Sequence, residues 1–359
     1  MKKVAIMTYH DMVNYGSLFQ MYCLQQIVKD LGFKVDIINY RKDINYLKKI
    51  VNNNKFLKNI WLHINNDELW LKFNKFYKNN INKTNVVSSN DDLKKLNKKY
   101  DYFIAGSDQI WSPNHFDIHY FLDFVEDQNK LISYAPSVVI DDFNYNQIKE
   151  VKEILSNYKA ISVREKTGQN ILKKNFNVDS LVVLDPTLLV DINYLKNISK
   201  NVRNNKKNNI ICYFLGNNNY EEKINKIFDK EEIINISLNK KQDFETIENI
   251  NNAGPEEFIN YLSNCKFICT DSYHGVALAI KLHKQFILFD RFDLTDPICQ
   301  NARIYDLLDL LKIDSVNYSN YISHSYKEIN YDLVQKELNK LILNSKEFLI
   351  NALEVECNE

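Results

Sequence analysis

The chain has 359 residues, 45% hydrophobic and 26% charged, which suits a soluble globular protein of about two domains. Its 46 basic and 46 acidic residues cancel, so net charge points neither to a nucleic-acid binder nor to a protein held on an acidic membrane surface. No apolar run approaches the ~20 residues that span a bilayer, and the apolar part of MKKVAIMTYH is too short for a secretion signal. Six cysteines lie scattered. The one close pair, Cys265 and Cys269, lacks the second pair of a zinc site, so all six read as buried or free thiols of a reducing compartment. A cytoplasmic location is expected, with peripheral attachment at the inner face of the membrane left open.

Along the chain, strands and helices alternate in two blocks. VAIMT reads as a strand, Leu18 to Leu31 as an amphipathic helix and Lys34 to Asn39 as a second strand, together a βαβ unit. Residues 43 to about 100 are helical in pattern and rich in Asn and Lys, an insertion with the apolar stripe of a packed helical subdomain. YDYFIAG, KLISYA, AISVR and SLVVLD read as further strands, with Tyr145 to Tyr158 as a helix. DPTLL, from Asp185, reads as a turn or hinge, and the polar stretch 196–209 separates the blocks. NIICYFLG opens the second block, which continues through EEIINISL, the helix Glu256 to Asn264, KFICTD and QFILFD. From Tyr331 the apolar spacing Leu333, Val334, Leu338, Leu341, Ile342, Phe348, Leu349 and Leu353 marks a final helix packed on the body. The expected architecture is α/β: two facing Rossmann-like domains, 1–195 and 210–330, with a helical insertion in the first and a C-terminal helix at 331–359.

The polar groups at strand ends carry the chemistry. KFICTDSYHGVALAIKLHKQF sets Asp271, Ser272 and His274 between a strand and a helix, where ligands of open α/β folds bind, although Asp271 or Ser272 could simply cap the helix with His274 a passenger. HDMVNYGS follows the first strand with one glycine rather than three, which excludes a dinucleotide fingerprint. Asn14, Gly16 and Ser17 there offer hydrogen bonds to a sugar hydroxyl, or form an Asx turn and cap. In GSDQIW, Ser107 and Asp108 follow another strand; its Gly-Ser turn suits an anion and Trp111 a stacked sugar ring, with a core tryptophan as the alternative. Arg164 in SVREKTG suits bidentate capture of a carboxylate or phosphate, or else pairs structurally with Glu165 or Asp185.

Taken together, NYGSLFQ, GSDQIW, SYAPS, SVRE, DPTLL, GPEEFI and TDSYHG, in this order and spacing, resemble the polysaccharide pyruvyl transferase family from about residue 1 to about 310. The resemblance implies a GT-B-like fold and transfer of the pyruvyl group of phosphoenolpyruvate to a sugar as a ketal, with release of phosphate and no need for a metal or redox cofactor. It implies His274 as the acid or phosphate partner and Arg164 as an anion clamp. Asp271, Ser272 and Gly275 would line the donor site, completed by a cation from Lys284, Arg291 or Arg303, with Arg291 favoured. Asp11 or Asn14 would hold the acceptor or act as base, with Gly16, Ser17, Ser107 and Asp108 beside them. Family members often carry an arginine two residues before the histidine, where this chain has Ser272, a very different carboxylate partner. The partners implied are phosphoenolpyruvate and a saccharide that is free, nucleotide-linked or lipid-linked, and no nucleic acid; the oligomeric state is not implied. A glycosyltransferase using a nucleotide sugar, with His274 and Arg164 on the diphosphate, and a noncatalytic carbohydrate-binding protein are the alternatives on the same fold.

Overall fold

Four parallel strands, β1 (Lys3–Met7), β2 (Lys34–Ile37), β3 (Tyr102–Ala105) and β4 (Leu131–Ser133), form the first sheet in the order β2-β1-β3-β4. A two-stranded parallel pair, β5 (Ser162–Val163) and β6 (Leu181–Val182), follows and is joined to it through an Ile132–Ala160 bridge. The second sheet is β7 (Ile210–Tyr213), β8 (Ile233–Ile236), β9 (Glu248–Ile250), β10 (Phe267–Thr270) and β11 (Gln285–Leu288), all parallel in the order β11-β10-β7-β8-β9. The structure is a computed structural model that describes residues 1–42, 68–139, 142–202, 208–228, 231–292 and 300–355. Val4 to Met7 are fully buried, as expected of a central parallel strand covered on both faces.

The first helix runs Tyr15–Asp30, three residues earlier than its apolar spacing predicts, because the Asn14 side chain accepts from the Ser17 N–H at 3.1 Å and caps it. It is not amphipathic in practice. Only three of its 16 residues escape burial, since it is wedged between the first sheet, the Pro186–Leu189 helix and the helix Tyr273–Lys281 of the second domain.

The predicted insertion is only partly helical; residues 43–67 lie outside the described part. Helix Glu68–Asn80 packs across the second-domain helix Pro255–Asn264, with Lys72 on Glu257 at 2.8 Å and Asn252 on Glu68 at 2.7 Å. Phe73 lies against Tyr15, which stacks on Phe258 with centroids 3.9 Å apart. After Asn80 the chain turns extended and runs beside β2, where Thr84 and Val87 N–H groups donate to Ile37 and Asn39 carbonyls. The stretch after Asn80, expected to be helical, instead pairs its backbone with the open edge of the first sheet.

Two further expectations change. DPTLL is a buried short helix, Pro186–Leu189, and not a turn or hinge: Asp185 accepts from the Thr187 N–H and Pro186 occupies the first helical position, so the segment ends a strand and starts a helix in one step. The start of the polar stretch at 196 belongs to helix Ile192–Ser199. Edge strand β9, only three residues long, carried too little apolar pattern to be foreseen.

The last helix, Tyr331–Leu353, returns to the first domain. Ser345 Oγ accepts from the Leu184 N–H at 3.0 Å, Phe348 meets Tyr134, and Glu354 accepts from Tyr102 at 2.8 Å and pairs with Lys159 at 2.5 Å. Val334, Leu338, Phe348, Leu349 and Leu353 are its buried face, while Leu333 and Leu343 stay exposed. Cys23, Cys212, Cys265 and Cys269 are buried and unpaired. Among the described residues no helix is long and apolar enough to cross a membrane.

Candidate functional site

A cleft of about 700 Å³ opens between the carboxyl ends of the two sheets. From the first domain Asn14, Ser17 and Asp108 face it, and from the second Ser272, His274, Arg291 and Arg303. These seven of the thirteen anticipated site residues are brought together on its walls.

His274 is the second residue of helix Tyr273–Lys281, whose cap is Ser272, the hydroxyl accepting from the Gly275 N–H at 3.3 Å. Cap and site are therefore not alternatives here, since one turn serves as both. The imidazole is 11% exposed, with Nε2 3.5 Å from Asp185 Oδ2, and its other edge lies on Gly16 so closely that a Cβ there would collide with Nδ1. Gly16 thus has a steric reason: it lets the first helix of one domain approach the histidine of the other.

Asp185, with no side-chain exposure, also accepts from Thr187 Oγ1 at 2.7 Å and Arg164 Nη1 at 3.1 Å. Burial alone would raise its pKa, but His274 first, then Arg164 and Thr187, outweigh that and hold the carboxyl well below the usual carboxylate range.

Arg164 differs from expectation. Its side chain is fully buried behind the cleft wall, paired with Asp185 and, at 3.6 Å, Glu165, with its guanidinium 4.3 Å from the centre of the Tyr273 ring. It is the structural pair rather than the anion clamp, because two carboxylates already claim it. Its Nε and Nη2 have no hydrogen-bond partner among the described residues.

Asp271 is likewise no donor ligand. Its carboxylate is saturated by the N–H groups of Leu215 and Gly216 at 2.7 Å, Tyr220 Oη at 2.9 Å and Arg291 Nε at 3.1 Å, so it ties the loop after β7 to the cleft and aims Arg291. Gly275 packs on the Thr270 side chain inside the fold and is also structural. Of the three candidate cations, Lys284 is spent on the Cys265 carbonyl, while Arg291 and Arg303 both reach the wall. Arg303 is buried and its pKa is pushed down to about 10, by burial first and by neighbouring Arg164 next. Its Nη2 donates to Gln300 Oε1 at 2.9 Å, and among the described residues no carboxylate pairs with it.

On the opposite wall, Asp108 accepts from Ser17 Oγ at 2.6 Å and from the Gln109 N–H at 2.8 Å. Ser107 faces inward, donating through Oγ to the Ala135 carbonyl at 2.7 Å, and does not reach the cleft. Asp11 is drawn off the wall by ion pairs to Arg41 and Lys83. Trp111 is no sugar platform: it is fully buried, stacked on Phe121 at 5.1 Å, with Nε1 donating to the Tyr120 carbonyl.

The aromatic surface comes from residues that sequence reasoning missed: Tyr9, Tyr40, Phe116 and Tyr120, with Tyr9 and Tyr120 rings 5.2 Å apart edge to face. Tyr9 and Tyr40 lie just past β1 and β2, the position from which open α/β folds present site residues, and that was the available signal.

Two α/β domains of parallel strands, facing each other across a cleft lined from both sets of strand ends, define a GT-B-like protein. The fold is similar to that of UDP-GlcNAc 2-epimerase from Methanocaldococcus jannaschii in complex with UDP-GlcNAc and UDP, at 15% identity over 99% of this chain and 100% of that one, with a TM-score of 0.50. The ADP-heptose LPS heptosyltransferase II of E. coli aligns at 12% identity over 96% of this chain and 99% of that one, with a TM-score of 0.38. No curated protein sequence matches the chain. Residues 14–293 match the polysaccharide pyruvyl transferase family, and the chain belongs to it.

Proposed function

We propose that this protein transfers the pyruvyl group of phosphoenolpyruvate to two hydroxyls of a saccharide in a cell-surface polysaccharide or its precursor, forming a ketal and releasing phosphate. The observation that carries the reading, beside the family, is His274 backed by the Asp185 carboxylate on a wall that also holds Arg291 and the buried Arg303, which has no carboxylate ion pair among the described residues.

The chemistry calls for these groups. Phosphoenolpyruvate brings a carboxylate and a phosphate, and a buried guanidinium without an anion gains most from one. Arg291 and Arg303 supply the cationic partners that a hydroxyl at position 272 cannot. As general acid, His274 gives a proton to the methylene carbon, making C2 electrophilic. One sugar hydroxyl adds to C2, phosphate leaves with cleavage of its C2–O bond, and a second hydroxyl closes the ketal. Of the two hydroxyl protons, one ends on phosphate and the other replaces the proton given up by His274.

The test is phosphate release from phosphoenolpyruvate by the purified full chain with a panel of methyl pyranosides and nucleotide-linked sugars. Saccharide-dependent release, reduced about 10³-fold in His274→Ala, is expected. No release with any saccharide, together with nucleotide release from a nucleotide sugar, would replace this reading with glycosyl transfer.

A further inference from the structure

Resting on the pyruvyl-transfer reading, we infer that Asp108 is the general base that takes the proton from the attacking saccharide hydroxyl. Among the described residues two carboxylates face the cleft, Asp108 and Asp117. Asp117 is engaged: Lys42 pairs with its Oδ2 at 3.1 Å, Tyr40 donates to the same oxygen at 3.2 Å, and Oδ1 accepts from the His119 N–H as a helix cap. Asp108 has no cation within ion-pair distance among the described residues. It holds one hydrogen bond on each oxygen, from Ser17 Oγ and the Gln109 N–H, so each oxygen keeps a lone pair for a substrate proton.

Its position joins the two walls. Ser17, its hydroxyl partner, is the neighbour of Gly16, on which the His274 ring rests. On its other side, Tyr9 Oη donates to the carbonyl of Gln109, the residue after Asp108, and Tyr9 meets Tyr120 edge to face, so the aromatic surface begins one residue away. A sugar ring laid on those tyrosines presents its hydroxyls between Asp108 and the donor held at His274. The backbone is fixed for the purpose: Asp108 has a φ of 76°, and its carbonyl accepts from the Ser137 N–H at 2.7 Å. Asp11 and Asn14, the other candidates for this role, are respectively ion-paired off the wall and committed as a helix cap.

The step balances without a further reactant. Asp108 takes the first hydroxyl proton as that oxygen bonds to C2, then returns it to the phosphate oxygen as the C2–O bond to phosphate breaks. The regenerated carboxylate takes the second hydroxyl proton as the ketal closes and releases it to solvent, from which His274 is re-protonated.

The test is steady-state kinetics of the full chain on phosphoenolpyruvate with methyl β-D-glucopyranoside, methyl β-D-galactopyranoside, methyl α-D-mannopyranoside and UDP-glucose. Asp108→Asn is expected to lower kcat about 100-fold or more with KM for phosphoenolpyruvate changed less than about threefold, and Asp108→Glu to restore part of the rate. A kcat within about threefold of the parent in Asp108→Asn would overturn the base assignment and leave pyruvyl transfer standing. An increase confined to KM for the saccharide would overturn it too, making Asp108 a binding group. No phosphate release by the parent chain with any of the four would remove the transfer reading itself, and the base with it.

Discussion

The two walls of the cleft are built in opposite ways. The second-domain wall is assembled from groups held in place by partners: Asp271 takes four donors, Ser272 caps the helix that carries His274, and His274 meets Asp185 of the first domain. The first-domain wall is mostly shape, with aromatic faces drawn from three separated segments and Asp108 as its least encumbered carboxylate. Recognition of charge needs a few groups fixed to within a fraction of an ångström, and one strand-to-helix turn provides that. Recognition of a sugar face needs area, which a fold gathers from wherever loops meet.

Substitutions that separate placement from area sharpen this contrast. The largest effect is expected in Asp185→Asn, which takes the charge from behind His274 and leaves Arg164 buried with Glu165 alone. Phosphate release should fall about 100-fold and stability to urea by about 3–5 kcal/mol. Because the folded carboxyl titrates below its unfolded value of about 3.9, its contribution is complete above about pH 4 and is lost as pH falls toward the depressed value. The variant should therefore lose less stability on acidification than the parent. A variant as stable as the parent at pH 7 would remove Asp185 from the set of groups that hold the wall.

Arg303→Met comes next, and its two effects should oppose each other. KM for phosphoenolpyruvate should rise about 30-fold while the free protein becomes more stable by about 1 kcal/mol, since a buried cation with no carboxylate ion pair among the described residues is replaced by an apolar chain. Loss of stability would mean that Arg303 is structural, as Arg164 is. The smallest effect belongs to the tyrosine surface. Tyr120→Ala should raise KM for a methyl pyranoside about fivefold to tenfold and leave that for phosphoenolpyruvate unchanged, because one platform among several is removed. A change in the phosphoenolpyruvate constant of equal size would erase the division between the walls.

This contrast also explains how much was legible in the sequence. The βα alternation and the two-block fold were readable because buried parallel strands are continuous apolar runs, as in VAIMT and KFICTD. His274, Ser272 and Arg291 were expected at strand ends, where polar residues stand out locally, and they line the cleft. What failed was partnership. Nothing along the chain says that Arg164 is claimed by Asp185 and Glu165, that Asp271 is saturated by the loop after β7, or that Asp11 is held by Arg41 and Lys83, since each depends on contacts across many residues. Trp111, which the sequence left open between a stacking face for a sugar ring and a core residue, is core. The tyrosines that do face the cleft were hidden among 22 in the chain.

The returning helix Tyr331–Leu353 has a consequence for biosynthesis. Leu184 and Tyr102 of the first domain find their partners in Ser345 and Glu354, 161 and 252 residues later. Domains tend to fold in the order in which they leave the ribosome. Here the earlier half emerges with a backbone amide and the apolar surface under Phe348 uncovered, and must wait for most of the polypeptide to be made before either is closed. Ribosome-bound chains stalled before residue 331 should therefore be cut by protease in the first half more readily than the finished protein.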